Sequence, residues 1–107
     1  MNDTIEILKA ARQLIEKRED WWDGRRDWWA QPAGTFCVMQ ALAKDFHELK
    51  RADYPTAWEE CYGELLNALP PTLRRHGLAT YNDTHSHEDV LALFDRAIMQ
   101  TECAEDE

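Results

Sequence analysis

The apolar residues of this chain recur at steps of three and four, in four separate runs, and that spacing most limits the folds open to it. Ile7, Leu8, Ala11, Leu14 and Ile15 make the first run, and Val38, Met39, Leu42, Phe46 and Leu49 the second. Trp58, Cys61, Tyr62, Leu65 and Leu69 make the third, and Val90, Leu91, Phe94, Ala97 and Ile98 the fourth. Such steps gather side chains on one side of an α-helix, whereas a half-buried strand needs strict alternation. Each run is a stripe that must be covered, and each is too short to hold a helix in water alone. Together they predict an all-α fold, a compact bundle of four main helices whose stripes bury one another.

Start and stop signals frame the runs. Asp3 with Glu6 is a capping-box arrangement, in which each side chain satisfies the other residue's exposed N–H; the helix it opens extends to Arg18. Thr35, just after Gly34, is placed to cap the second helix, which Asp53-Tyr54-Pro55 ends. Thr56 with Glu59 repeats the capping box ahead of the third. Pro70-Pro71 stops that helix at Leu69, because proline disfavours a helical residue before it and has no N–H to continue the ladder. Thr72 to His76 have room for one short extra turn before Gly77, and Ser86 caps the fourth helix.

At 107 residues the chain is one domain's worth. A single helical domain is expected over residues 1–101. An acidic, frayed tail is expected over 102–107, where Glu102, Glu105, Asp106 and Glu107 follow no apolar period. No stretch approaches the roughly 20 apolar residues of a membrane-spanning helix. Met1-Asn2-Asp3-Thr4 is not the basic start of a secretory leader. Three cysteines without a Cys-x-x-Cys pair suit a reducing, cytoplasmic setting better than a disulfide scaffold.

The net charge of −9 disfavours non-specific attraction to nucleic acid or to an anionic membrane. It is carried unevenly: residues 1–53 hold 10 acids and 9 bases, residues 54–107 hold 11 acids and 3 bases. Glu59, Glu60, Glu88 and Asp89 fall in expected first helical turns, where a carboxylate complements the helix dipole. The total therefore reports helix ends and a tail more than a continuous acidic face.

Between the first two helices Asp20-Trp21-Trp22 is echoed seven residues later by Asp27-Trp28-Trp29, around Asp23-Gly24-Arg25-Arg26. Asp-Gly favours a tight turn, so a Trp-rich turn or short hairpin is expected here. Two readings stand for the tryptophans. In one, a member of each pair enters the core and the other lies along its edge. In the other, Trp21, Trp22, Arg25, Arg26, Trp28 and Trp29 form an exposed patch with the Trp/Arg composition of interface hot spots.

The groups able to do chemistry are few. Asn82-Asp83-Thr84-His85-Ser86-His87 is expected as a loop into the last helix, and its short polar side chains suit capping. His85 and His87 with Asp83 also have spacing compatible with a shared metal ion, though no fourth ligand is evident. Cys37, in the expected first turn of the second helix, sits where exposed N–H groups favour a thiolate. With His85 or His87 as base and Asp83 to orient it, a nucleophilic site can be drawn. No phosphate-binding glycine loop, HExxH helix or GxSxG turn occurs. Neither cofactor nor metal is called for by the residues. Cys61 on its apolar stripe reads as core.

Gly34-Thr35-Phe36-Cys37-Val38-Met39-Gln40-Ala41-Leu42, preceded by Trp28-Trp29, resembles the Trp, Gly-x-x-Cys, Ala-Leu pattern of a family of small domains of unknown function from phage and bacterial genomes. Asn82-Asp83, followed by Glu88-Asp89-Val90-Leu91 and Asp95-Arg96-Ala97, is similar to that family's closing pattern, an aromatic-Asn-Asp step into a final helix. The likeness spans residues 5–100. It departs at Tyr81, where tryptophan is expected, and at Gln40, where glycine is usual. The resemblance implies a compact domain in which Cys37, Asn82 and Asp83 match the motif, and no activity.

The expected function is a small acidic protein-interaction module of phage derivation that inhibits or regulates a host protein. Its partner is another protein, without direct nucleic-acid or membrane binding, and a homo-oligomer is compatible. The alternative is a small Cys-dependent or metal-binding enzyme centred on Cys37 and the segment from Asn82 to His87.

Overall fold

A computed structural model describes residues 3–22, 31, 33–49 and 54–105. Five helices are present among them: α1 (Asp3–Leu14), α2 (Val38–Leu49), α3 (Tyr54–Ala68), α4 (Gly77–Thr84) and α5 (His87–Glu105), with 3-10 turns at Arg18–Asp20 and Arg74–His76. No strand occurs among the described residues. An isolated parallel bridge joins Trp21 to Phe36.

The all-helical expectation holds, with one helix more than the four stripes predicted. The extra turn expected near Thr72–His76 is the 3-10 turn, and it leads straight into α4. Asn82, Asp83 and Thr84, expected in a loop, are the last residues of that helix. Leu78, Tyr81 and Asn82 are its buried positions. Their spacing is helical, but the third is an amide, so the apolar stripe reads as broken.

Three further boundaries differ. α1 stops at Leu14, short of Arg18, where Ile15 N–H turns back to the Arg12 carbonyl at 3.1 Å and frees the chain to extend through Trp21 and Trp22. α3 begins two residues before Thr56, because Pro55 falls in the first turn, where its missing N–H has no helical partner to lose. α5 continues to Glu105, past the expected end at residue 101. Lys9 pairs with Glu102 at 3.3 Å, which ties that last stretch to α1.

α1 lies against α2, α3 and α5, and α3 packs along α5. Leu8, Ala11 and Ile15 meet Val38, Ala41 and Leu42 of α2, Cys61, Leu65 and Leu69 of α3, and Val90, Leu93, Phe94 and Ala97 of α5 in one connected core. Polar links close its margins. Arg12 Nε donates to Asp95 Oδ1 at 2.7 Å, joining α1 to α5. The C-terminal carbonyls of α3, which Pro70-Pro71 leaves without helical donors, are taken up by arginines: Arg74 Nε and Nη2 reach Leu66 and Asn67 at 3.2 and 2.8 Å, and Arg96 Nε reaches Ala68 at 3.2 Å. The radius of gyration of 13.4 Å matches the roughly 13 Å of a folded chain near 100 residues.

Candidate functional site

The corner where α4 meets the start of α2 and the Trp21-Trp22 segment is built around one side chain. Asn82 is 1% exposed. Its Oδ1 accepts from the Trp21 indole Nε1–H at 2.8 Å and from the Val38 backbone N–H at 3.1 Å. Its Nδ2 donates to the Trp22 carbonyl at 2.9 Å and, more weakly, to Asp83 Oδ1 at 3.4 Å. Both lone pairs and both amide protons are engaged, which fully satisfies a group whose burial would otherwise be costly.

Asn82, from α4, thereby does for α2 what a capping residue would do. α2 begins two residues later than Thr35 predicts, because Phe36 is extended: its N–H donates to the Asp20 carbonyl and its carbonyl accepts from Trp22 N–H, both at 2.9 Å. Cys37 takes the capping position, its carbonyl receiving Ala41 N–H at 2.9 Å. A cysteine side chain caps poorly, and the N-terminal donors find partners elsewhere. Val38 N–H goes to Asn82, and Cys37 N–H goes to Gln40 Oε1 at 3.1 Å, the reach-back half of a capping box. Gln40 and Gln31 also exchange side-chain bonds, at 2.8 and 3.3 Å. Gln40 is thus a working helix-end residue.

The two histidines serve the same corner. His87 is 8% exposed; its Nε2–H donates to the Ile15 carbonyl at 2.6 Å and its ring lies 5.5 Å from that of Trp21. It joins the end of α1 to the start of α5. His85 follows the last residue of α4, and its Nδ1 bonds the Tyr81 carbonyl at 3.1 Å while its ring stacks on Tyr81 at 3.9 Å. With Thr84 Oγ1 donating to the Thr80 carbonyl at 2.7 Å, it closes the C-terminus of α4. Ser86 caps α5 as predicted, its Oγ receiving Asp89 N–H at 3.1 Å.

Asn82, Asp83 and Thr84 thus lie in α4 rather than in a loop. Cys37 and Asn82 are brought to one corner, but through Val38 N–H and the amide; no hydrogen bond joins Cys37 Sγ to His85 or His87 among the described residues. His87 Nε2 is held by a carbonyl and His85 by its own helix end, so the two rings do not converge with Asp83. No group of three or more metal-ligating side chains assembles among the described residues.

Trp21 and Trp22 are each 6% exposed, so burial removes both rings from the candidate surface patch. Trp21 belongs to the connected core, with the Arg18 guanidinium 5.4 Å above its ring. The other members of the patch, Arg25, Arg26, Trp28 and Trp29, lie outside the described residues, as does the expected Trp-rich turn.

The fold and the hydrogen bonds of this corner define a small helical domain in which a buried asparagine locks an extended Trp-Trp segment to two helices. The chain belongs to a family of unknown function, DUF6197, which matches it over residues 1–100. No curated protein and no solved structure matches it. No described helix is long and apolar enough to cross a membrane.

Proposed function

We propose that the chain is a protein-interaction module and that the segment between Trp22 and Phe36 carries its contact with a partner. One observation supports this above others: Trp22 N–H and the Phe36 carbonyl bond at 2.9 Å, and Asn82 bolts Trp22 on one side of that junction and Val38 on the other. In the sequence Arg25, Arg26, Trp28 and Trp29 stand between these two fixed points. Fixed ends lower the entropy lost when such a segment meets a partner. Trp and Arg are the residue types that dominate interface energies. The polar groups that could have formed a catalytic centre, Asn82, His85 and His87, are engaged in holding helix ends. The partner is a protein rather than a nucleic acid, given the net charge of −9. A phage-derived regulator of a host protein, acting in the cytoplasm, is the setting we assign to it.

The test is crosslinking and affinity capture from the native host with the full chain and with the Arg25→Ala/Trp28→Ala variant. We expect a protein retained by the wild type and lost by the variant, whose far-ultraviolet circular dichroism stays unchanged. Equal retention by both overturns the assignment of this segment.

A further inference from the structure

Residues 54–107 hold 11 acids and 3 bases, and the fold brings the bases to the C-terminal end of α3. Arg74 reaches the Leu66 and Asn67 carbonyls at 3.2 and 2.8 Å, and Arg96 reaches the Ala68 carbonyl at 3.2 Å, so two guanidinium groups sit on consecutive carbonyls. Arg75 adjoins Arg74 in the 3-10 turn and makes no hydrogen bond or ion pair among the described residues. All three are exposed. The acids beside them in the fold go to other partners. Asp95, next to Arg96, bonds Arg12 of α1 at 2.7 Å, and Glu64, one turn before Ala68, accepts from Gln100 Nε2 at 2.8 Å. Among the described residues no carboxylate pairs with any of the three arginines. One turn along α5 from Arg96 stand Ala92, Met99 and Gln100, all uncharged. Met99, 63% exposed, is the one large apolar side chain left exposed among the described residues.

We propose that this end of α3 is a second interaction surface, and that it takes an acidic segment of a partner protein. A guanidinium has more N–H groups than its carbonyl anchor uses here, and its planar fork matches a carboxylate. Anchoring holds Arg74 and Arg96 in place beforehand, which lowers the rotamer entropy lost on binding. Unpaired arginines gathered in a chain of net charge −9 make a local positive pole. Met99 adds an adaptable apolar contact beside the charges, which suits a segment carrying an apolar residue among its carboxylates. A nucleic acid would run past so small a patch onto acidic surface. The patch is separate from the Trp22–Phe36 junction: it adjoins the start of α4, and Asn82 lies in that helix's last turn.

The probe is the end-blocked peptide Glu-Glu-Leu-Glu-Glu, titrated into the isotope-labelled full chain and followed by NMR. We expect saturable shifts centred on Arg74, Arg75, Arg96 and Met99, diminished by added salt. Arg75→Glu has no internal bond to lose and is expected to weaken binding by about tenfold; Met99→Ser is expected to weaken it too, with circular dichroism unchanged in both. The Arg25→Ala/Trp28→Ala variant is expected to bind the peptide as the wild type does, so this proposal fails or survives independently of the one for the Trp22–Phe36 segment. No shift at millimolar peptide in low salt overturns the proposal. So does undiminished affinity in either Arg75→Glu or Met99→Ser, or a set of shifts centred on Arg25 and Arg26. A single-stranded oligonucleotide that binds the same residues more tightly than the peptide overturns it in favour of a nucleic-acid partner.

Discussion

Replacing Asn82 by alanine strands two buried donors at once, the Trp21 indole N–H and the Val38 backbone N–H, and takes an amide donor from the Trp22 carbonyl. Each such orphan costs about 1–3 kcal/mol, and neighbours sharing one partner do not simply add. We expect Asn82→Ala to lower the unfolding free energy by at least about 3 kcal/mol in urea titration; a loss under about 1 kcal/mol would show that the amide is not what holds this corner. The identity of Asn82 as the central residue was half legible. Its place after Tyr81 and before Asp83 singled it out, but a polar residue among turn formers reads as loop. Only packing revealed that it points inward one turn after Leu78. His87 was hard to place for the same reason: beside Asp83 and His85 its spacing is compatible with capping or with a shared ion, whereas the Ile15 carbonyl it meets lies far away in sequence.

Helix ends show where local signals suffice and where they do not. Ser86 was readable as a cap because its partner, Asp89 N–H, is three residues away. Ser86→Ala is expected to cost about 1 kcal/mol, measured by the shift in thermal midpoint and its van't Hoff enthalpy. Thr35 carried an equally good signal and failed, because Phe36 pairs with Asp20 and Trp22 and pulls the chain into extended form before a helix can start. The donors of α2 are met by Gln40 and Asn82, one local and one remote. The same split applies to α3, whose Pro70-Pro71 stop was plain while the arginines that occupy its last carbonyls, Arg74 and Arg96, come from beyond the helix.

For the molecule as a whole, stripes from α1, α2, α3 and α5 share one core, with Trp21 inside it. Unfolding is therefore expected to be a single cooperative transition, with tryptophan fluorescence and far-ultraviolet circular dichroism giving the same urea midpoint. An earlier fluorescence transition would mark the Trp21-Trp22 segment as a unit separate from the helices. The net charge of −9 also gains a structural context at this scale. Asp95 and Glu102 pair with Arg12 and Lys9, so part of the acidity of the second half fastens α5 to the more basic first half. Exposed pairs of this kind contribute little to stability singly.

By itself the sequence determined the all-helical class, the four principal stripes, the proline stop and the Ser86 cap. Each of these depends on residues within a few positions of one another, where period and capping chemistry are read directly. The tertiary structure alone decided that Trp21 and Trp22 are buried and that Asn82 and His87 are structural ties. These depend on partners brought together from distant parts of the chain: Asn82 lies 61 residues from Trp21 and 44 from Val38, and His87 lies 72 from Ile15. Whether a polar side chain is a ligand or a bolt is set by which backbone groups the fold leaves without partners beside it, and no local pattern carries that information.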